Sequence, residues 1–450
     1  MGRLFGTDGA RGVANSELSC ELAMQIGRAT AMVLIDADKK RPKVMIGADT
    51  RISSDMLVCA ITAGLCSVGA DVMQLGVLPT PAVAFLVRKY GYDAAVMVTA
   101  SHNPCEYNGI KIFQSDGYKL PDELEEKIEA IILDGVSPPP VKIGADIGRL
   151  IKDSKPTMDY VSHLLSTVGG VDFSDFRVAV DCANGAASVT ASEIFSQLGV
   201  ECFIASSAPD GININRNCGS TSLDSLQCFV RENKCDVGFA FDGDADRMLA
   251  VDENGAVVDG DKIIAVCAKD MKKRGVLTAD TAVVTVMSNM GFFEFCKNNG
   301  INAVTTNVGD RYVLENMVEN NYKIGGEQSG HVIFSDFATT GDGQLTALQL
   351  LSVMKRRGKR LSELAAEMTV FPQVLINVRV SQIGKARYNN DTEISRAIES
   401  AERELHNAGR VLVRVSGTEP LVRVMLEGKD EEKIRILAEE IAEVIKERLI

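Results

Sequence analysis

Val178-Ala179-Val180-Asp181 opens a stretch of sequence that indicates an α/β architecture. This apolar strand is followed by a small-residue turn, a helix that ends at Gly199, and a second strand, Val200-Glu201-Cys202-Phe203-Ile204. Gly199 falls where the C-terminus of a helix requires a residue in the left-handed backbone conformation. The stretch therefore predicts a strand, a helix and a second strand as one structural unit.

The same unit occurs twice more along the chain. One copy spans residues 44–73 with its helix ending at Gly69, and another spans residues 283–304 with its helix ending at Gly300. Strands with near-continuous apolar residues are typical of sheets that helices cover on both faces. Three related α/β domains are therefore expected.

The length of 450 residues exceeds a single ordinary core, so several domains are expected. The Pro138-Pro139-Pro140 stretch places the first boundary near residue 155. After residue 370 the pattern changes to a strand, a helix that ends near His406, two more strands and a closing amphipathic helix. We expect four domains, the last of them smaller and of the α+β class, with bounds 1–155, 156–254, 255–370 and 371–450.

The composition is that of a globular protein, with 46% hydrophobic and 24% charged residues. No apolar run reaches the length of a membrane span, and the N-terminus turns polar before a signal-peptide segment could form. The 11 cysteines are scattered without a Cys-x-x-Cys pair, which predicts reduced and mostly buried thiols. These features predict a cytoplasmic protein, and the net charge of −13 argues against a nucleic-acid surface.

Three carboxylates, Asp242, Asp244 and Asp246, follow the apolar strand at residues 237–241 directly. Crowded carboxylates repel one another unless a cation or a proton neutralises them, and oxygen ligands favour Mg²⁺ or Ca²⁺. A calcium loop of the EF-hand type is disfavoured, because its sixth position would be Arg247 where a glycine is required, and strands flank the loop. A solvated acidic turn is the alternative to a metal site.

The strand at residues 94–98 leads into the polar turn Thr99-Ala100-Ser101-His102-Asn103-Pro104. Ligands of α/β folds bind at the C-terminal ends of strands, so Ser101 is the candidate nucleophile. A Ser-His hydrolase dyad is disfavoured, since neighbouring side chains in a loop rarely face each other and the Gly-x-Ser-x-Gly motif is absent. An ordinary Asx or Ser turn is the alternative.

Two more loops carry candidate binding groups. Arg414-Val415-Ser416-Gly417-Thr418-Glu419-Pro420, with Arg423 beyond it, suits a phosphate clamp, and a glycine hairpin turn is the alternative. Gly325-Gly326-Glu327-Gln328-Ser329-Gly330-His331 offers an acid, an amide, a hydroxyl and an imidazole that suit a polyhydroxylated ligand, although a plain loop has the same composition. His163 and His406 lie in helix-like surroundings and are predicted to be structural.

The four motifs around Ser101, Asp242, Glu327 and Arg414 resemble, in order and in separate domains, those of the α-D-phosphohexomutase family. The resemblance spans essentially the whole chain, and no core motif departs from the family pattern. It implies a heart-shaped arrangement around a central cleft, built from three related α/β/α domains with mixed sheets and a smaller C-terminal α+β domain.

The resemblance also implies a role for each matching residue. Ser101 would be phosphorylated in the resting enzyme, and one Mg²⁺ per chain would be held by a phosphoserine oxygen with Asp242, Asp244 and Asp246. The other implied catalytic groups are Arg247 beside the transferring phosphoryl group, Lys111 and His331 in proton transfer, and Arg11. The implied substrate-binding groups are Glu327, Ser329 and Asp310 for the sugar, and Arg414, Ser416, Gly417, Thr418 and Arg423 for the phosphate that is not reacting.

The segment Phe5-Gly6-Thr7-Asp8-Gly9-Ala10-Arg11-Gly12 and the Gly-Glu-Gln-Ser-Gly loop are most similar to those of bacterial family members that act on glucosamine phosphates. This similarity implies interconversion of glucosamine 6-phosphate and glucosamine 1-phosphate, with glucosamine or glucose 1,6-bisphosphate as primer and intermediate, in the supply of UDP-N-acetylglucosamine for cell-wall precursors. The carbonyl of Gln328 could accept a hydrogen bond from the 2-amino group. The implied partner is a hexosamine phosphate, without nucleic acid or membrane, and the resemblance is compatible with a homodimer.

Three rival functions stay open at this stage. A phosphomannomutase/phosphoglucomutase would use the same chemistry on sugars with a 2-hydroxyl. A metal-dependent phosphatase would use the acidic loop and release inorganic phosphate. A catalytically silent sugar-phosphate sensor would be expected to lack Ser101 or one of the acids, and none of these is lost.

Overall fold

The computed structural model describes residues 3–6, 8–36, 41–136, 141–151, 156–415 and 420–450. The chain divides into two units, the first comprising Met1–Met287 with Ile301–Glu367 and the second Ser288–Gly300 with Met368–Ile450. None of the helices among the described residues is long and apolar enough to cross a membrane. The predicted boundary near residue 155 falls outside the described residues, and the other predicted domain bounds stay predictions.

A mixed six-stranded sheet forms the beginning of the first unit. Its strands are β1 (Ala10–Val13), β2 (Lys43–Ala48), β3 (Asp71–Val77), β4 (Ala94–Val98), β5 (Tyr107–Gln114) and β6 (Leu150–Ile151), in the spatial order β1-β5-β4-β2-β3-β6. Strand β2 pairs in parallel with β3 and β4, whereas β5 pairs antiparallel with β4 and β1. Every residue of β4 is buried, because both faces of the sheet are covered. The predicted mixed α/β sheet is confirmed for this part of the chain.

Four helices belong to the same stretch: α1 (Cys20–Asp36), α2 (Ser54–Ser67), α3 (Thr80–Tyr90) and α4 (Asp122–Leu133). Helices α1 and α2 approach closely where Gly27 faces Ile61 and Gly64 faces Met24. A Cβ atom at Gly64 would lie 2.2 Å from the Met24 carbonyl oxygen, so glycine is required at this contact. The two helices share a core with β2 and β4.

The second sheet has five strands in the order β11-β10-β9-β7-β8. Its elements are β7 (Arg177–Asp181), β8 (Glu201–Ala205), β9 (Val237–Phe241), β10 (Met248–Asp252) and β11 (Val257–Val258), with α5 (Pro156–Ser166), α6 (Ala191–Gln197) and α7 (Asp224–Glu232). Strand β7 pairs in parallel with β8 and β9, and β9 pairs antiparallel with β10. The antiparallel β9-β10 pair therefore brackets the acidic loop with strands.

The third sheet has four strands in the order β13-β12-β14-β15. The elements of this stretch are α8 (Gly260–Lys273), β12 (Thr281–Thr285), α9 (Met290–Asn298), β13 (Asn302–Thr306), α10 (Asp310–Asn320), β14 (Ile324–Gly326), β15 (Val332–Phe334), α11 (Gly343–Arg357) and α12 (Leu361–Ala365). Helix α9 belongs to the second unit, and the sheet belongs to the first. The loop between the antiparallel strands β14 and β15 carries Glu327 and His331.

The second unit is built on a three-stranded antiparallel sheet in the order β16-β18-β17. Its further elements are β16 (Gln373–Arg379), α13 (Gln382–Arg387), α14 (Thr392–Leu405), β17 (Gly409–Val415), β18 (Leu421–Gly428) and α15 (Glu431–Leu449). Helix α15 buries Ile434, Leu437, Ile441 and Ile445 against this sheet, as its helical spacing predicts. The predicted small α+β character of this region is confirmed.

Two local sequence predictions, the glycines that end helices and the state of the cysteines, can be compared with the structure. The three glycines that were predicted to end helices have left-handed backbones, with φ of +99° at Gly69, +75° at Gly199 and +63° at Gly300. All 11 cysteines are free, but the prediction that they are mostly buried is wrong, since five are buried, four are partly exposed, and Cys59 and Cys228 are exposed.

Candidate active site

Ser101 lies in the turn that follows β4, with its side chain buried at 1% exposure. Its hydroxyl donates a hydrogen bond of 2.6 Å to Oδ2 of Asp242. The backbone of Ser101 has a φ of +53°, a left-handed conformation that is uncommon for a residue with a side chain. Ser101 is therefore held in a disfavoured backbone conformation directly beside an acidic side chain.

His102 contacts Ser101, contrary to the expectation that neighbouring side chains in this loop do not face each other. The distance between Ser101 Oγ and His102 Nδ1 is 3.2 Å. The left-handed backbone at Ser101 explains the error, because the two side chains no longer point apart as they do in an extended chain. Burial, with the nearby cations Arg247 and Arg11, lowers the pKa of His102 to about 4, so the imidazole is neutral at pH 7.

The acidic loop between β9 and β10 brings its three carboxylates together, as predicted. Asp242, Asp244 and Asp246 are all buried, and one oxygen from each lies within 4.8 Å of the others. Burial and the charges of Asp246 and Asp244 raise the pKa of Asp242 well above its ordinary value. The strands on either side confirm that the loop is not of the EF-hand type. The cluster concentrates negative charge that needs a compensating cation.

The donor set of this cluster fits a hard divalent cation. Oδ1 of Asp244 and Oδ1 of Asp246 are buried, and neither has a hydrogen-bond partner among the described residues. A buried carboxylate oxygen without a partner is costly, and oxygen-only ligands are those that Mg²⁺ and Ca²⁺ prefer. These three aspartates are thus the group of described residues that could hold a metal ion.

Lys111, on β5, provides positive charge beside the same carboxylates. Its Nζ atom lies 3.0 Å from Oδ2 of Asp244, 3.3 Å from Oδ2 of Asp246 and 3.2 Å from Oδ2 of Asp8. Burial alone would lower the pKa of Lys111, but Asp244, Asp8 and Asp246 raise it well above its ordinary value. Lys111 is therefore held in its charged form, placed to stabilise an anion.

His331 lies directly before β15 and is buried between two carboxylates. Its Nδ1 atom is 3.7 Å from Oδ2 of Asp246, and its Nε2 atom is 3.5 Å from Oδ2 of Asp310. The backbone N–H of Gly341 also donates to Nε2 at 3.1 Å. Burial would lower the pKa of His331, but the hydrogen bond and charge of Asp246, with the charge of Asp310, raise it. The two carboxylates therefore favour the protonated form of the ring.

Asp8 and Lys119 are site residues that the sequence interpretation missed. Lys119 Nζ lies 2.6 Å from both Oδ1 of Asp8 and Oδ2 of Asp310, and so joins the Lys111 side of the site to the His331 side. Asp8 also pairs with Arg11. Asp8 could have been found from the sequence, because it belongs to the segment of residues 5–12 that resembles the family. No motif around Lys119 indicates that it contributes to the site. The result is a row of alternating charges that connects both ends of the site.

Two arginines complete the charge pattern. Arg247 donates its backbone N–H to Oδ1 of Asp242 at 3.1 Å, and its guanidinium lies 3.9 Å from Asp246. Burial would lower the pKa of Arg247, but the charges of Asp246 and Asp242 outweigh this effect and raise the pKa above its ordinary value. The Nε atoms of Arg247 and Arg11 are buried and have no hydrogen-bond partner within the described part of the chain. Unpartnered buried donors of this kind suit an anionic ligand.

The loop from Glu327 to His331 is ordered by contacts within the first unit. Glu327 Oε1 accepts from the backbone N–H of Gly309 at 3.1 Å, and the Ser329 hydroxyl donates to Glu327 Oε2 at 3.4 Å. Gln328 Nε2 donates to Oδ2 of Asp259 at 3.1 Å. The Gln328 amide nitrogen is thus engaged, and its carbonyl oxygen is the group it can offer to a ligand.

Arg414 and Arg423 face each other across the antiparallel strands β17 and β18 of the second unit. Burial and the charge of Arg423 lower the pKa of Arg414. Like charges directly opposite in a sheet are destabilising, so this pair favours a bound anion. Ser416, Gly417 and Thr418, which were predicted to complete a phosphate clamp, lie outside the described residues.

Of the two histidines that were predicted to be structural, His163 lies in α5. Its Nε2 atom is 3.0 Å from the carbonyl oxygen of Phe337, and its ring stacks on Phe85 at 4.2 Å between ring centres. These contacts are those of a packing residue. His406 follows the end of α14 in the second unit and is exposed.

Comparison with family models matches four segments of the chain. The descriptions are phosphoglucomutase/phosphomannomutase alpha/beta/alpha domain I for residues 2–137, domain II for residues 158–255, domain III for residues 259–371 and the C-terminal domain for residues 375–444. Phosphoglucosamine mutase from Acetivibrio thermocellus is 56% identical over 449 residues, covering 100% of both chains. The similarity thus extends over every segment that carries a site residue.

Two solved structures share the fold. A phosphoglucomutase/phosphomannomutase family protein from Burkholderia thailandensis has a TM-score of 0.83 at 23% identity, covering 99% of this chain and 97% of that one. N-acetylphosphoglucosamine mutase from Aspergillus fumigatus, in complex with GlcNAc-6P and magnesium, has a TM-score of 0.69 at 19% identity, covering 99% and 96%. At this level of identity the two structures support the four-part fold and nothing finer.

Proposed function

The chain belongs to the phosphoglucomutase/phosphomannomutase family, and we propose that it interconverts glucosamine 6-phosphate and glucosamine 1-phosphate. It is an isomerase that moves a phosphoryl group between two oxygens of one sugar. The observation that carries the proposal is the contact between Ser101 Oγ and Asp242 at 2.6 Å, which places a nucleophile against a candidate metal site. The full-length similarity to a phosphoglucosamine mutase supports the choice of sugar.

Ser101 in its phosphorylated form gives its phosphoryl group to the free hydroxyl of the sugar phosphate. The bond from Oγ to phosphorus breaks, a bond from the sugar oxygen to phosphorus forms, and the hydroxyl proton passes to a base. The resulting 1,6-bisphosphate turns over, and its other phosphoryl group returns to Ser101. Such transfer depends on positioning and charge compensation, which the buried and charge-rich surroundings of Ser101 support.

The acidic loop is proposed to hold Mg²⁺ through Asp242, Asp244 and Asp246 together with a phosphoserine oxygen. When bound, the cation would offset negative charge on the transferring phosphoryl group. The two buried carboxylate oxygens without a partner support this assignment. Arg247 and Arg11 are proposed to bind the phosphoryl oxygens, because each has a buried Nε donor without a hydrogen-bond partner among the described residues.

His331 is proposed to exchange the proton with the sugar hydroxyl, with Lys111 as a fixed positive charge. The charges of Asp244 and Asp8 keep Lys111 protonated, so it is a poor base. His331 is an imidazole, the side chain whose ordinary pKa lies nearest neutral pH, and the charges of Asp246 and Asp310 raise its pKa above that ordinary value. Glu327 and Ser329, which contact each other, are proposed to bind sugar hydroxyls with Asp310.

Arg414 and Arg423 are proposed to bind the phosphate that is not reacting, with Ser416, Gly417 and Thr418 included by resemblance. The opposed guanidiniums support an anion at this point of the second unit. A cytoplasmic location is part of the proposal, and the 11 free cysteines support a reducing compartment. The product would feed the synthesis of UDP-N-acetylglucosamine.

The choice of substrate is tested by comparing kcat/KM for glucosamine 1-phosphate, glucose 1-phosphate and mannose 1-phosphate under the same Mg²⁺ and glucose 1,6-bisphosphate. Gln328 can present its amide carbonyl to a protonated 2-amino group, so we expect a preference for glucosamine with residual activity on glucose. Ser101→Ala serves as the control and should be inactive on all three sugars. A preference for glucose or mannose phosphate would move the assignment to phosphomannomutase/phosphoglucomutase, the alternative function.

A further inference from the structure

Four backbone carbonyls of the loop that carries Ser101 converge on the side chain of Arg51. Arg51 Nη2 donates to the carbonyl oxygens of Ser101 at 2.9 Å and Asn103 at 2.7 Å, and Nη1 donates to those of Pro104 and, at 3.0 Å, Tyr107. The remaining donor, Nε, bonds Oδ2 of Asp49 at 2.9 Å. The guanidinium thus uses all five of its N–H donors inside the protein, and Arg51 is buried at 2% exposure.

Asn215 reaches two of the same carbonyls from the segment between β8 and α7. Its Nδ2 atom donates to the carbonyl oxygens of Ser101 at 2.9 Å and Asn103 at 3.1 Å. The space around this contact is tight, since a Cβ atom on Gly243 would lie 2.5 Å from the Ser101 carbonyl oxygen and 2.9 Å from Asn215 Nδ2. The loop is therefore held from two distant parts of the sequence, residue 51 and residue 215.

The conformation that these contacts maintain is a disfavoured one. The left-handed backbone of Ser101, with φ of +53°, persists only where the surroundings over-determine it. A short supporting network continues the restraint, because Thr99 Oγ1 accepts from the Ser101 backbone N–H at 2.9 Å and donates to Asp49 at 2.7 Å. Asp49 and Arg51 therefore act on the same loop as one ion pair.

We propose that Arg51 and Asn215 are positioning residues, which hold the Ser101 loop so that Oγ points at Asp242 and the phosphoryl group is correctly aligned. This inference rests on the proposed function, and both residues act through backbone carbonyls of the loop. A misplaced nucleophile slows the chemical step, whereas sugar binding relies on other groups. Loss of either residue is thus expected to lower kcat and leave KM nearly unchanged.

The test compares Asn215→Ala with Asn213→Ala in the full-length protein. Asn213 is a matched control, because it is the same residue type in the same segment but donates to the carbonyl of Ala208 in its own loop, at 3.0 Å. We expect Asn215→Ala to lower kcat and the rate at which glucose 1,6-bisphosphate phosphorylates Ser101 by about 10- to 100-fold, with KM within about twofold of wild type. Asn213→Ala should match wild type in both rates, and intact-mass spectrometry measures the phosphorylation.

Arg51→Lys is the second variant, because lysine keeps a charge for Asp49 but cannot reproduce the planar fork that reaches four carbonyls. Its kcat should fall at least as far as that of Asn215→Ala, and if it does not fold, the Asn215 comparison decides. Wild-type rates in Asn215→Ala, or equal losses in the two asparagine variants, would overturn the inference. If wild-type protein takes phosphate on Ser101 but isomerises no sugar phosphate, the proposed function is wrong. In that case the phosphorylation rates of the variants still test whether Arg51 and Asn215 position the Ser101 loop.

Discussion

Asp244→Asn is the substitution that tests the metal assignment most directly. The Oδ2 atom of Asp244 accepts hydrogen bonds from Thr80 Oγ1 at 2.6 Å and Lys111 Nζ at 3.0 Å, and its Oδ1 atom is buried without a hydrogen-bond partner among the described residues. An amide keeps the size of the side chain and one acceptor for Thr80. It removes the negative charge, and an NH₂ group in place of the unpartnered oxygen cannot bind a cation.

The magnitude follows from the contacts that are lost. An interaction with a charged partner in a buried site contributes about 1.5–3 kcal/mol, so kcat/KM should fall by about 10- to 150-fold. Mg²⁺ at 100 times its Kd stabilises a folded protein by about 2.7 kcal/mol, and a site weakened about 100-fold would retain only about 0.4 kcal/mol of this at the same concentration. Most of the rise in Tm that Mg²⁺ gives the wild type should therefore disappear.

The assay is thermal unfolding in EDTA and in Mg²⁺, together with mutase turnover under the same two conditions. Asp252→Asn is the control. Asp252 ends β10 in the same sheet and is also buried, but its carboxylate accepts hydrogen bonds from the backbone N–H groups of Asn254 and Ala256, each at 2.9 Å. It should keep the Mg²⁺-dependent rise in Tm. An Asp244→Asn protein with wild-type turnover and the full Mg²⁺ effect would refute the assignment of this loop as a metal site.

Two further predictions concern the second unit and the buried residue Asp342. Arg423→Ala should raise KM for the sugar phosphate by about 10- to 100-fold, because it removes half of an opposed guanidinium pair. Arg379→Ala, on the neighbouring strand, is the control and should leave KM unchanged. Equal KM values for the two variants would show that the Arg414–Arg423 pair does not bind the phosphate. Burial raises the pKa of Asp342 from 3.8 to about 7, so the wild type loses stability as pH rises from about 4 to about 7, where the folded protein gives up this proton less readily than the unfolded chain. Asp342→Asn keeps Oδ1, which caps Leu345 and can still accept from Tyr160. This variant should become more stable than wild type across that window by up to about 4 kcal/mol, and a difference in Tm that does not change with pH would contradict this.

Several elements of the fold follow from local sequence patterns. The predicted strands at residues 94–98 and 237–241 agree with β4 and β9, and the glycine stops agree with the helix ends at Gly69 and Gly199. These signals are local because hydrogen bonding and side-chain periodicity act over a few residues. The three aspartates were recognisable for the same reason, since alternate carboxylates after a strand share one loop.

Other features required contacts between distant residues. The link from Asp8 through Lys119 to Asp310 joins positions more than 100 residues apart, and nothing near Lys119 in the sequence indicates it. The contact of His102 with Ser101 depends on a left-handed backbone that Arg51 and Asn215 maintain from elsewhere in the chain. A pattern of neighbouring residues carries no information on such restraints.

The protonation states of the site mark the division between the two kinds of information. Residue types and spacing were enough to predict an α/β protein with a nucleophile, an acidic loop and anion-binding arginines. Whether Lys111 serves as a base or as a fixed cation could not be predicted from them, because its pKa reflects its burial and the charges of Asp8 and Asp244, which come from three separate stretches of the chain. Desolvation and Coulomb interactions depend on distances in space, and packing sets these distances.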